Sequence, residues 1–287
     1  MSEGGWAAGS HDVVWIEGPD AISFADGQLS QDVSAMRPGE VRRALLLEPR
    51  GKLRGILWVL AGEDVVGLLT WAGTGRAVGA DLERFLFRVD VLVSTDEAAG
   101  SSRWGPTGAG STPGEWSGDR HRARVALPAG RAPAEFALGP LPTDAPLLGS
   151  GTMLLHRVMA GEPVFGRDVD EDTIPHETGL VAESVSFTKG CYLGQELVSR
   201  IETRGHVNRS LRRVTIADGL PPAGAAIESA GSPVGLLGSV AASGDGAEAI
   251  ALVRREAVPG NRVVVRWEAG EAVGEIVEII RDPQAAG

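Results

Sequence analysis

A chain of 287 residues with 43% hydrophobic and 23% charged side chains has the composition of a soluble globular protein, with room for two or three domains. A formal net charge of −11 argues against broad binding to nucleic acid or anionic membrane, and no apolar run is long enough to cross a bilayer. A single cysteine excludes an intrachain disulfide and any zinc or iron–sulfur site made only from cysteines of one chain. Residues 1–10 are polar and glycine-rich, with no basic segment leading into an apolar one. They read as a frayed terminus rather than a secretory signal, and the expected location is the cytoplasm.

Val13 to Ile16 reads as a short buried strand, and Gly18-Pro19-Asp20 turns the chain into a helix carrying Ala21, Phe24, Ala25 and Leu29 at helical spacing. Arg43 to Leu47, Leu53 to Leu60 and Val65 to Thr70 are strands separated by turn residues. A helix over Gly75 to Phe87 and a strand over Val89 to Ser94 complete a β-β-α-β order, the pattern of a ferredoxin-like α+β layer. Residues 96–118, rich in Gly, Ser, Thr and Pro, read as a mobile loop in which Trp104 and Trp116 either clamp or lie exposed. Arg122 to Leu127 reads as a strand and Pro128 to Pro146 as a surface linker. A helix with Leu154, Val158 and Met159 ends at Gly161. Asp168, Asp170, Glu171 and Asp172 lack the glycine and terminal Glu of a calcium loop, so no metal site is assigned. After Gly205 short strands separated by Gly and Pro turns, from Leu211 to Ile280, give the pattern of a small barrel.

The chemistry concentrates in Lys189-Gly190-Cys191-Tyr192-Leu193-Gly194-Gln195-Glu196, which holds the only cysteine, the only tyrosine and one of two lysines. Gly190 and Gly194 allow sharp turns or close approach to a ligand, and Gln195 to Arg200 starts a helix. A helix start and a nearby lysine are features that lower a thiol pKa. From Lys189 to Arg213 six basic residues face two acidic ones, a local excess of +4 in an acidic chain. That excess reads either as a solvated face or as a pocket for an anionic small ligand.

These residues resemble the YgfZ-type folate-binding proteins, relatives of the glycine cleavage T protein, whose signature is Lys-Gly-Cys-aromatic-x-Gly-Gln-Glu. Gln28-Leu29-Ser30-Gln31-Asp32-Val33 is similar to the group's Gln-Leu-Thr-Asn-Asp-Val, and Ile174 to Leu180, with Glu177, resembles its Pro-x-Glu segment. Arg200, Arg204 and Gly205 sit where the group places an Arg and an Arg-Gly. The resemblance spans most of the chain and is weakest over residues 96–146.

What the resemblance implies is a three-part α+β architecture around a central channel. A discontinuous first domain takes residues 11–45 and 148–205, a ferredoxin-like insertion 46–147, and a C-terminal β-barrel 206–282. The implied ligand is tetrahydrofolate or a one-carbon derivative, held by Gln28, Asp32, Glu177, Gly190, Tyr192, Gly194, Gln195, Glu196, Arg200 and Arg204. Cys191 and Lys189 are the implied reactive pair, and the implied partners are iron–sulfur client proteins of a monomeric accessory factor, including enzymes that modify tRNA. The alternative is an aminomethyl transferase of the T-protein type. Against it, the T proteins' aspartate pair falls at Arg54 and Gly55, and their pterin-holding Glu at Met159. Without those carboxylates no general acid or base is evident for aminomethyl transfer.

Overall fold

The computed structural model describes residues 4–104, 112–128 and 133–279. Strand β1 (Gly5–Glu17) lies between β4 (Val65–Trp71) and β5 (Leu92–Trp104). Beyond β4 come β3 (Leu53–Ala61) and β2 (Val41–Leu47). Beyond β5 come β8 (Glu135–Leu138), β7 (Arg122–Ala126) and β6 (Trp116–Asp119). All eight strands are antiparallel neighbours in the order β2-β3-β4-β1-β5-β8-β7-β6. Strands on both sides of the expected boundary at 45/46 therefore share one sheet.

The structure corrects three expectations. Residues 5–10 are strand, not frayed terminus. Trp6 is fully buried, its indole N–H donates to Asp144 Oδ1 at 2.9 Å, and its backbone N–H donates to Pro146 O at 2.8 Å. The supposed mobile loop is strand as far as Trp104, because both edges of this Ser- and Gly-rich stretch are hydrogen-bonded within the sheet. Its tryptophans clamp: Trp104 is buried, and Trp116 donates to Ala61 O at 2.8 Å. Residues 105–111 of that stretch lie outside the described residues. The supposed linker contains β8, whose Phe136 and Leu138 are core; residues 129–132 again lie outside the description.

Helices α1 (Ala21–Gln28) and α2 (Gly75–Glu83) cover one face of the sheet, packing Phe24, Leu29, Val78 and Leu82 on Val14, Ile16 and Leu57. Each such side chain, fully buried, contributes about 1.5–3 kcal/mol of transfer free energy. Buried Asp12 holds the entry to α2: its Oδ2 accepts from the Gly73 and Gly75 N–H groups at 2.8 and 2.9 Å, and its Oδ1 from Ala98 at 2.8 Å. The opposite face carries Val13, Trp15, Trp58, Leu69, Val125 and Phe136.

The second half of the chain passes through α3 (Ser150–Met159), a 3-10 turn at Pro175–Thr178, α4 (Val181–Ser184) and α5 (Gln195–Arg204). It then closes a barrel from β9 (Arg209–Ile216), β10 (Ala226–Ser229), β11 (Ser232–Ser243), β12 (Gly246–Arg254), β13 (Arg262–Trp267) and β14 (Gly270–Val277). The barrel order is β10-β11-β12-β9-β14-β13. A shared core joins sheet, helices and barrel through Leu45, Ile56, Val158, Tyr192, Leu211 and Ile250. The architecture is the expected mixed α+β arrangement with few helices and a terminal barrel. No helix of the described residues is long and apolar enough to cross a membrane.

Candidate functional site

The Lys189–Glu196 segment is anchored from behind and open in front. The Lys189 side chain is 1% exposed, and its Nζ donates to Asp26 O (2.6 Å), Asp26 Oδ1 (3.0 Å), Gln31 O (2.8 Å) and Leu29 O (3.1 Å). An ammonium has three hydrogens, so this cradle of acceptors fills its capacity. The sequence suggested that Lys189 poises the thiol; the structure instead turns its charge toward the end of α1 and the 26–31 segment. Tyr192 is core, with its ring centroid 5.4 Å from Nζ, and burial pushes its phenol up to about 12. Gln195 Oε1 accepts from the Tyr192 N–H at 3.2 Å, which fixes the turn into α5. Gly194 has φ +82°, and a Cβ there would lie 2.5 Å from Glu48 O, so only glycine fits against the β2–β3 turn. In front, Cys191 is exposed, and a Cβ on Gly190 would meet nothing within 4 Å.

The other motif residues divide between scaffold and surface. Asp32 Oδ1 accepts from Ser34 Oγ and Ala35 N, both at 3.0 Å, closing a local turn. Gln28 is half-buried, and its Oε1 has no hydrogen-bond partner among the described residues. Glu177 was expected near a ligand. Its two oxygens are taken by Arg209, at 2.8 Å from Nε and 2.9 Å from Nη2, and it also accepts from the Ile174 N–H at 3.1 Å. Glu177 thus ties the 3-10 turn to the first barrel strand. Glu196, Arg200 and Arg204 are exposed along α5, and neither arginine has an ion-pair partner among the described residues. The acidic run is also accounted for. Asp168 pairs with Arg157 at 2.8 Å, Asp170 accepts from Thr173 at 2.9 Å, and Glu171 and Asp172 pair with Arg54 and Lys52.

Sequence reasoning missed a second constellation. A cavity of about 10 Å³ is lined by His11, Arg43, Trp58, Thr70, Trp71 and Glu162, among others. Its space is that of roughly one water. Arg43 is 2% exposed, pairs bidentately with Glu162, lies 3.7 Å from Glu183 and sits over the Trp58 ring. Desolvation works against the Arg43 charge, but the two carboxylates outweigh it and hold the guanidinium above its ordinary value. Arg157 donates to Glu162 O at 2.7 Å, and Asp168 accepts from the Ser239 N–H of the barrel at 2.7 Å, so the polar network crosses between the layers. Gln31 joins cavity and signature: its Nε2 donates to Arg43 O and Glu183 O, while its own carbonyl holds Lys189. The available signal was an arginine, Arg43, inside an apolar strand.

The fold is that of the glycine cleavage T proteins. Aminomethyltransferase T of the glycine cleavage system from Bartonella henselae superposes with a TM-score of 0.82 at 19% identity, over 97% of this chain and 86% of that one. In sequence the chain is similar to proteins named tRNA-modifying protein YgfZ, which bears out the resemblance read from the signature. That of Edwardsiella ictaluri is 27% identical over 218 residues, covering 68% of this chain and 66% of the relative. That of Escherichia coli O157:H7 is 27% identical over 236 residues, covering 74% and 72%. The match thus spans just under two thirds of the first relative's length and 72% of the second's. No family model matches.

Proposed function

We propose that this chain is an accessory protein for the assembly or repair of iron–sulfur clusters in client enzymes, including enzymes that modify tRNA, and that its working group is the Cys191 thiol. The observation that carries this reading is an exposed lone thiol on a segment made rigid by Lys189 and Gly194. The YgfZ name of its relatives supports the link to tRNA modification. The alternative of a buried, inert cysteine conflicts with that exposure. The test is complementation of cells lacking the protein. The Cys191→Ala variant, folded and expressed to the wild-type level, is expected to leave iron–sulfur enzyme activity unrestored. Full restoration would remove the thiol from the mechanism.

The resemblance also implies tetrahydrofolate or a one-carbon derivative. The cavity lined by His11 and Arg43, at about 10 Å³, is far below the several hundred Å³ of a site for a whole ligand of that size. It has room for one small group of such a ligand and not for the whole of it. Arg200 and Arg204 are cations suited to the carboxylates of a folate tail. Calorimetry with 5-formyltetrahydrofolate is expected to show binding that weakens with salt and in the Arg200→Ala/Arg204→Ala double variant. Absence of saturable binding would remove the folate while leaving the thiol reading intact. Aminomethyl transfer is the weaker reading. Met159 is 46% exposed, and Arg54 is committed to Asp81 at 2.7 and 3.1 Å, so neither position supplies a carboxylate to a reacting centre.

A further inference from the structure

His11 is 2% exposed and lies on β1 where pairing with β5 slips on both sides of it. Such irregularities re-aim a side chain. The ring packs between Trp71 and Phe136, each with its centroid 4.4 Å away, and it lines the cavity. Its Nδ1 is 2.8 Å from Ser10 Oγ, which is 3.0 Å from Ser102 Oγ, which receives the Trp104 indole N–H at 2.9 Å.

The direction of this chain follows from its far end. An indole nitrogen only donates. Ser102 therefore accepts from Trp104, and the acceptor for its own hydrogen among the described residues is Ser10 Oγ. Ser10 must then donate to His11 Nδ1. The opposite direction leaves the hydroxyl hydrogen of Ser102, which has no solvent exposure, without an acceptor. Burial lowers the His11 pKa to about 3, so the ring is neutral. A neutral imidazole that accepts at Nδ1 carries its proton on Nε2. The hydrogen bond of the His11 ring among the described residues is the one at Nδ1, and the buried Nε of Arg43, another residue lining the same cavity, has no partner among them.

We propose that His11 is a fixed N–H donor into this cavity and that the cavity binds one compact, neutral oxygen acceptor: a water, or the carbonyl oxygen of a ligand that reaches in. Arg43 Nε–H supplies a second donor. The charge of Arg43 is already compensated by Glu162 and Glu183, which disfavours an anion in the same place. The inference is independent of the folate reading, because it concerns the protein's own donors and its first test needs no ligand.

The experiment is long-range proton–nitrogen NMR on the full chain labelled with nitrogen-15 histidine. The expected result is the Nε2–H tautomer at His11, with cross-relaxation between that proton and a long-lived water. With 5-formyltetrahydrofolate added, a retained water signal assigns the acceptor to water. Its replacement by a contact to the ligand assigns it to a carbonyl. An Nδ1–H tautomer, or an Nε2–H with neither contact, overturns the proposal. Ser10→Ala removes the donor to Nδ1 and is expected to yield a mixture of tautomers with the overall spectrum kept; an unmoved tautomer would break the relay argument. His11→Gln is expected to keep the water and His11→Phe to lose it, and equal hydration of the two overturns the proposal. Should the Phe variant not fold, the wild-type tautomer and the Ser10 variant still decide.

Discussion

Lys189 shows how far a side chain's identity can be from its expected task. Its amine has four oxygen atoms within 3.1 Å, three of them backbone carbonyls of residues 26–31. Arginine, with a planar fork, cannot reproduce a cradle built around a compact ammonium, which explains one of the two lysines in an arginine-biased chain. Lys189→Met is expected to cost about 2–4 kcal/mol by urea unfolding. This is somewhat below the 3–5 kcal/mol of a fully buried broken pair, since the Asp26 side chain is 20% exposed. Lys189→Arg is expected to recover little of that loss. His11 sets a pH signature at the same scale. Its pKa is about 6.5 in the unfolded chain and about 3 in the folded one, because burial disfavours the charged ring. Between those values the unfolded state binds the proton and the folded state does not, so stability falls as pH falls. The slope is at most about 1.4 kcal/mol per pH unit. Comparing unfolding at pH 7 and pH 4.5, His11→Gln is expected to lose roughly 2–3 kcal/mol less than the wild type. An equal loss in both would show that the ring is not buried neutral.

At the scale of elements, the two glycines of the signature make opposite demands. Gly194 and Gly51 lie back to back, and a Cβ on Gly51 would come within 2.5 Å of Leu197 Cβ. Gly194→Ala is expected to destabilise by about 2 kcal/mol or more, from the left-handed backbone and the collision with Glu48 O. Gly190→Ala is expected to change stability by less than about 0.5 kcal/mol. If Gly190 serves client or ligand access, complementation falls while the unfolding curve stays put. The sequence made the turn at Gly194 and the start of α5 legible because glycine and the following polar helix are local signals. The span of β5 was hidden because Gly100, Ser101 and Ser102 resemble loop residues. What holds them is pairing with β1 and β8, set by residues far away in sequence. The roles of Glu177 and Asp168 were hidden for the same reason. A carboxylate reads as chemistry until its cation is found, and Arg209 and Arg157 become visible only in three dimensions.

Across the whole molecule the barrel is fastened to the sheet layer by side chains. Glu177 and Arg209 bind the turn before α4 to β9, while Arg157, Asp168 and Ser239 bind α3 and its following loop to β11. Glu177→Gln keeps the volume and removes the charge. With Arg209 36% exposed at its side chain, the expected loss is about 1–3 kcal/mol, between the values for surface and buried pairs. A calorimetric trace of that variant is expected to broaden as barrel and sheet uncouple; a single sharp transition would show that the apolar contacts alone unite them.

The position of β1 has a consequence for biogenesis. It is an interior member of its sheet, hydrogen-bonded to residues 65–71 on one edge and 92–104 on the other. During translation this segment, with Trp6, Val13, Val14, Trp15 and Ile16, leaves the ribosome well before either neighbour exists. At synthesis rates of about 5–20 residues per second that is a wait of several seconds with both edges bare. The nascent chain is therefore a natural client for a holding chaperone at this segment.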